Sequence, residues 1–207
     1  TILEVFMKLK DMVTISSGSI KFEEQNNPEN SLKKVLLVNA VNLSDLGVLE
    51  LGLEGDGAHV AKSVYVTEEL YHSKGLKAGD ILFMSRGSNL RAGIVREIDT
   101  EHALIPSQNF LVIRAGDKIL PEVIVAYLNS EKGQAELDAL CTGAALRHIS
   151  LSKMKEFQID LPEKAIQTQI ATLFLKNVEV LQSLTQLYQQ QERTFEAVTY
   201  QLFNEGK

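Results

Sequence analysis

Apolar positions along the chain change their spacing near residue 120. Before it they alternate with polar residues or run in short β-branched blocks, the pattern of strands; after it they recur every three or four residues, the pattern of helices. Leu3 to Leu9 and Met12 to Ile15, with Ser16-Ser17-Gly18-Ser19 ahead of Ile20 and Phe22, predict a strand, a turn and a second short strand. The polar stretch Glu23 to Ser31 predicts an exposed loop, and Lys34 to Val41 a strand. Asn42 to Asp56, broken by Gly47, Gly52 and Gly55, predicts short strands joined by tight turns. Thr67-Glu68-Glu69-Leu70 has the form of a capped helical turn. Gly79-Asp80 turns the chain into a buried strand at Ile81 to Met84, which ends in a polar loop carrying Arg86 and Arg91. Ala92 to Val95 resumes the apolar pattern, and Ala103 to Ile113 supplies two more strands around Pro106.

Pro121 suits the first position of a helix continued by Val123, Ile124, Tyr127 and Leu128. Ala135, Leu137 and Leu140 predict a second helix, Ser150 to Glu156 a further turn, and Phe157 to Leu161 an extended run ended by Pro162. The fold class is therefore α/β, mixed and α+β-like: one domain over residues 1–162, then a C-terminal segment, 163–207, holding one long amphipathic helix over 163–203. Ile166, Ile170, Leu173, Val180, Leu184, Leu187 and Val198 recur on its heptad seam, with Asn177, Gln191 and Thr194 as polar interruptions. A neighbouring file of Leu181, Tyr188, Phe195 and Leu202 widens the apolar face. Such a helix is about 60 Å long and overhangs a domain of this size. Its stripe calls for a partner, a second copy or another subunit; folding back on its own domain is the other reading.

Composition narrows the function classes. The 207 residues are 44% hydrophobic and 23% charged, as in soluble globular proteins, and no run approaches a membrane span, so a cytoplasmic location is expected. Cys141 is the only cysteine, which rules out an internal disulfide and a cysteine-based zinc site; a buried apolar-type residue is the expected role, against a nucleophile activated by His148. A phosphate-binding loop, a His-Glu-x-x-His pair, a Gly-x-Ser-x-Gly elbow and a methyltransferase cofactor loop are all missing from the sequence, and Gly55-Asp56-Gly57 reads as a turn. No catalytic residue and no metal is expected. The net charge of −6 opposes nucleic-acid binding by the chain as a whole, but residues 72–96 carry a net +4 and residues 143–155 a net +3.

Four stretches taken together resemble the specificity subunit of type I restriction-modification systems. They are Leu76-Lys-Ala-Gly-Asp-Ile-Leu-Phe-Met-Ser-Arg-Gly-Ser88, Leu104-Ile-Pro-Ser-Gln-Asn-Phe110, Pro121-Glu-Val-Ile-Val-Ala-Tyr-Leu-Asn-Ser130, and Gly143-Ala-Ala-Leu-Arg-His-Ile149 running through Ile159-Asp-Leu-Pro162 and Gln167-Thr-Gln-Ile170 into the helix. The resemblance implies a non-catalytic target recognition domain that reads part of a double-stranded DNA site, and a helix that spaces and docks. It also implies a modification methyltransferase subunit, which would hold S-adenosylmethionine, and a restriction and translocase subunit as partners, with no cofactor on this chain. A full subunit of that family carries two such domains and two helices, whereas this sequence holds one of each. Either it is a half-size subunit that forms a homodimer through the helix, or it is a piece of a longer protein.

Arg86, Ser88, Asn89 and Arg91 have the chemistry of base readout, since Arg matches guanine and Asn matches adenine bidentately. Alternatively Arg86 holds the fold through a carboxylate such as Asp80. Gln108 and Asn109 offer the same chemistry but fit a self-satisfied turn equally well. Arg147 and His148 suit phosphate contact, or a turn packed on the helix base. A competing function is an adaptor that dimerises through its helix and binds no DNA, and a third is a hydrolase of a kind the motifs do not reveal.

Overall fold

The strand β5, Ile81–Met84, shows how the sequence builds the domain. All four of its residues are buried, and they divide by parity: Ile81 and Phe83 enter one apolar cluster, Leu82 and Met84 another. Side chains of a strand alternate between faces, so an uninterrupted apolar run belongs in a sheet covered on both sides. The computed structural model describes residues 6–18, 32–51, 60–96, 103–141 and 147–205.

The central sheet is antiparallel, in the order β2 (Val13–Ser17), β9 (Phe110–Ala115), β5 and β7 (Ala92–Ile94). A second sheet places β3 (Leu32–Val38) between β4 (Lys62–Thr67), antiparallel to it, and β8 (Leu104–Pro106), parallel to it. The helix α1, Glu68–Lys74, covers that sheet, and Thr67 caps it by accepting the Leu70 N–H at 3.2 Å, as the sequence predicts. Two short pairs complete the strands: β1 (Phe6–Lys8) with β11 (Gln158–Asp160), and β6 (Arg86–Gly87) with β10 (Arg147–His148).

The helices α2 (Pro121–Asn129), α3 (Glu131–Leu140) and α4 (Leu151–Glu156) supply Val123, Ile124, Leu128, Leu137 and Met154 to the larger cluster, over the Ile81 and Phe83 face of the central sheet. Pro121 occupies the first turn of α2, where a missing N–H costs nothing. Ser130 ends α2 and caps α3, its hydroxyl accepting the Gly133 N–H at 3.1 Å.

The sequence pattern misses β4, and it merges β1 and β2 into one strand that the structure divides with a turn of 3-10 helix at Leu9–Asp11. In Asn42 to Leu51 only single bridges form, Leu43 with Leu49 and Val48 with Ile94, in place of the strands expected there. The strand expected at Ile20 and Phe22, the loop Glu23 to Ser31 and the glycine turn at Gly55 to Gly57 lie outside the described residues.

The last helix, α5, runs from Lys164 to Glu205, 42 residues. Its first half lies on α2 and buries Gln167, Ala171 and Val178, with Phe174 packed against the main cluster. Folding back on the domain and offering a free stripe are thus both realised, on different faces of one helix. Ile166, Leu173, Val180, Leu184, Leu187, Tyr188, Phe195, Val198 and Leu202 of the expected stripe are exposed, while Ile170 and Leu181 are half-buried against the domain.

Candidate nucleic-acid interface

Three loops distant in sequence meet at Ser85, a buried residue just past β5. Its backbone N–H and its hydroxyl both donate to the Asn109 carbonyl, at 2.9 and 3.0 Å. Its own carbonyl accepts the Ile149 N–H at 3.0 Å, which extends the β6–β10 pairing of Arg147 with Gly87 and His148 with Arg86. Six of the eight residues picked from sequence, Arg86, Ser88, Gln108, Asn109, Arg147 and His148, thereby belong to loops tied at a single end of the central sheet, and Asn89 follows directly. Gly87 has φ +141°, a conformation that side chains rarely adopt, and it lets the chain bend out of β6 toward Ser88. The neighbouring Ser107–Phe110 turn closes with the Phe110 N–H on the Ser107 carbonyl at 3.1 Å. Gly18 passes it so closely that a Cβ would stand 2.0 Å from the Ser107 carbonyl oxygen.

Arg86 on β6 and Arg91, just ahead of β7, have different employment. Arg86 is exposed, and among the described residues no hydrogen bond or ion pair engages its guanidinium. Asp80, its suggested partner, is taken by Arg114, whose Nε and Nη2 donate to the two carboxylate oxygens at 2.8 and 3.0 Å. That carboxylate also accepts the Lys77 N–H at 2.9 Å, and its hydrogen bond pushes the Arg114 guanidinium above its usual range. Arg114 is a residue the sequence reading passed over; its place on a strand register facing Asp80 gave no signal at the level of motifs.

Arg91, by contrast, is held from within. Its guanidinium pairs with Asp45 at 2.5 Å and donates to the carbonyls of Leu43 and Ala40, so it braces the 40–45 segment against the central sheet. That geometry gives Arg91 a structural role. Ser88, Asn89 and Gln108 are exposed, and Asn109 is half-buried. Arg147 is half-buried, pairs with Asp138 and donates to the Ser88 carbonyl at 3.3 Å. The carboxylate offsets much of its charge, and the strand it belongs to is paired with β6.

Burial pushes the Cys141 thiol up, the opposite of nucleophile activation. Among the described residues no three His, Cys, Asp or Glu side chains converge as metal ligands, and no helix is long and apolar enough to cross a membrane.

The family model described as the type I restriction modification DNA specificity domain matches residues 4–192. The chain belongs to this family. As a specificity domain it shares its fold with solved relatives at low sequence identity. The S subunit of a type I restriction-modification system from M. genitalium matches with TM-score 0.53 and 15% identity, over 92% of this chain and 44% of that one. A chain from a study of complex assembly and conformational transition of the type I R-M system gives TM-score 0.51 and 14% identity, over 87% and 40%. The type IIG restriction endonuclease BpuSI gives TM-score 0.54 and 10% identity, over 82% and 26%. This specificity domain thus spans less than half the length of each. The comparison with curated proteins gives no match.

Proposed function

We propose that this specificity domain reads one half of a bipartite duplex site, with Arg86, Ser88, Asn89 and Gln108 facing the DNA and the paired β6–β10 strands holding them in register. The observation that carries the reading is the convergence of three loops on Ser85 around an exposed, unneutralised Arg86. A guanidinium and an amide presented from a rigid strand end have the geometry that base edges require. His148 beside Arg86, with Arg147 partly neutralised, positions the domain on phosphates and adds little sequence information.

The exposed stripe of α5 then associates with a second copy, antiparallel, so that two domains sit at the ends of one rod and read an inverted repeat. The same rod docks the modification methyltransferase and the restriction and translocase subunits. S-adenosylmethionine and the chemistry of base modification belong to the methyltransferase subunit, which makes this chain a reader without a reaction of its own.

Selection of bound sequences from random duplexes, with the cognate methyltransferase subunit present, tests the reading directly. A two-part motif with a fixed gap is the expected result; a featureless pool would overturn it and leave the adaptor reading.

A further inference from the structure

Gln167 is one of five buried polar or charged residues among those described, and its side chain is 3% exposed at the foot of α5. Its Oε1 accepts the Leu120 N–H at 3.0 Å, while its Nε2 donates to the carbonyls of Lys118 at 3.0 Å and Pro162 at 2.9 Å. One amide therefore joins three separate segments: the β9–α2 connection, the linker that enters α5, and α5 itself. Further along the same face Ala171, Phe174 and Val178 pack against the domain, and the Gln182 amide reaches the Glu50 carboxylate at 3.5 Å. Those central contacts are apolar and non-directional, and the outermost is long. The directional bonds sit at the base.

We infer that Gln167 is a positioning residue that locks the angle between the recognition domain and the rod, and so selects the gap between half-sites. The inference rests on the two-headed reading of the site proposed above. From Gln167 the helix continues for about 57 Å, so a tilt of about 10° about that base moves its tip by about 10 Å, close to three base-pair steps of about 3.4 Å. A joint held mainly by apolar packing tolerates such a tilt; three hydrogen bonds from one planar amide do not. Its role is geometric, because Gln167 lies at the helix base, away from the loops that meet at Ser85.

The test measures binding, with the methyltransferase subunit present, to duplexes that keep the selected half-sites but vary the gap by up to two base pairs either way. Gln167→Ala, and Gln167→Glu, which keeps the acceptor and removes both donors, are expected to flatten the preference for the natural gap by about tenfold or more. The bases chosen within each half-site should stay the same. Gln169→Ala, at an exposed position of the same turn, should keep the natural preference. Binding that weakens equally at every gap would show a merely stabilising residue and overturn the inference, as would an unchanged gap preference. If the unaltered protein selects no two-part site, the functional reading itself fails, and the clamp with it. Should either variant fail to fold, Gln167→Met, which keeps the side-chain length without a buried charge and removes all three hydrogen bonds, decides.

Discussion

The two halves of α5 have similar amphipathic sequences and opposite fates. From Gln167 to Val178 one face is buried on α2 and the main core; from Ser183 to Asn204 all positions but Thr199 are exposed, including Leu184, Leu187, Tyr188, Phe195 and Leu202. The buried face and the exposed stripe also point in nearly opposite directions, since Gln167, Ala171, Phe174 and Val178 lie about 150° around the helix from Leu173, Val180 and Leu187 at 100° per residue. The difference teaches that a periodic apolar pattern establishes a need for burial without naming what answers it. A helix can serve its own domain on one face and a partner on another.

The sharpest way to break this comparison is to place a charge on each face. Val178→Asp puts an unpaired carboxylate at a 1% exposed position and should lower the unfolding free energy by about 3–5 kcal/mol. Leu187→Asp, at a position 62% exposed, should leave the intrinsic stability of the domain within about 0.5 kcal/mol and abolish self-association. Thermal unfolding at several protein concentrations, with light scattering, separates the two, because a melting temperature that depends on concentration belongs to the association. Equal losses of intrinsic stability would place both faces in the domain and end the distinction.

The same division between inward and outward employment recurs between Arg91 and Arg86, and it predicts a smaller pair of effects. Arg91→Ala removes the brace on Leu43, Ala40 and Asp45, with a stability loss of about 1–3 kcal/mol. Arg86→Ala should change stability by less than about 0.5 kcal/mol, yet weaken site-specific binding with the methyltransferase subunit by about 1–3 kcal/mol. Denaturant unfolding beside DNA titration checks both. A loss of fold stability at Arg86 equal to that at Arg91 would remove the contrast.

What the sequence made legible follows from the range of the forces involved. The Thr67 cap, the Pro121 start and the buried strand at Ile81 to Met84 are local, and all three are found where expected. The long helix is local too. Partner choice is not: Asp45 lies 46 residues from Arg91 and Asp80 lies 34 from Arg114, so nothing near either arginine distinguishes a brace from a reader. The meeting of Arg86 with His148 depends on two-residue strands, too short to leave a periodicity. The buried face of α5 escaped notice because Gln167 is polar and is held by hydrogen bonds, while Ala171, Phe174 and Val178 lie off the heptad seam.

The smallest expected effect asks how much of the inner anchoring is electrostatic. Glu156 ends α4 just ahead of β11 and the entry to α5, and it receives Lys8 at 2.7 Å and Lys10 at 2.5 Å. Hydrogen bonds from Lys10 and then Lys8 lower its carboxyl from 4.5 to about 2. A depressed folded-state value means a contribution fully present above pH 4.5 and lost as the pH falls toward about 2. Lys8 is raised above 10.5 by the same carboxylate, so its share is present below pH 10.5 and lost as the pH rises through that raised value. The two together predict a plateau between those limits. The melting temperature of the natural protein should exceed that of Glu156→Gln by a small constant margin across the plateau, and the margin should vanish toward pH 2 and shrink with added salt, as exposed pairs do. A margin that stays unchanged at low pH would mean that Glu156 acts through packing and not through its charge.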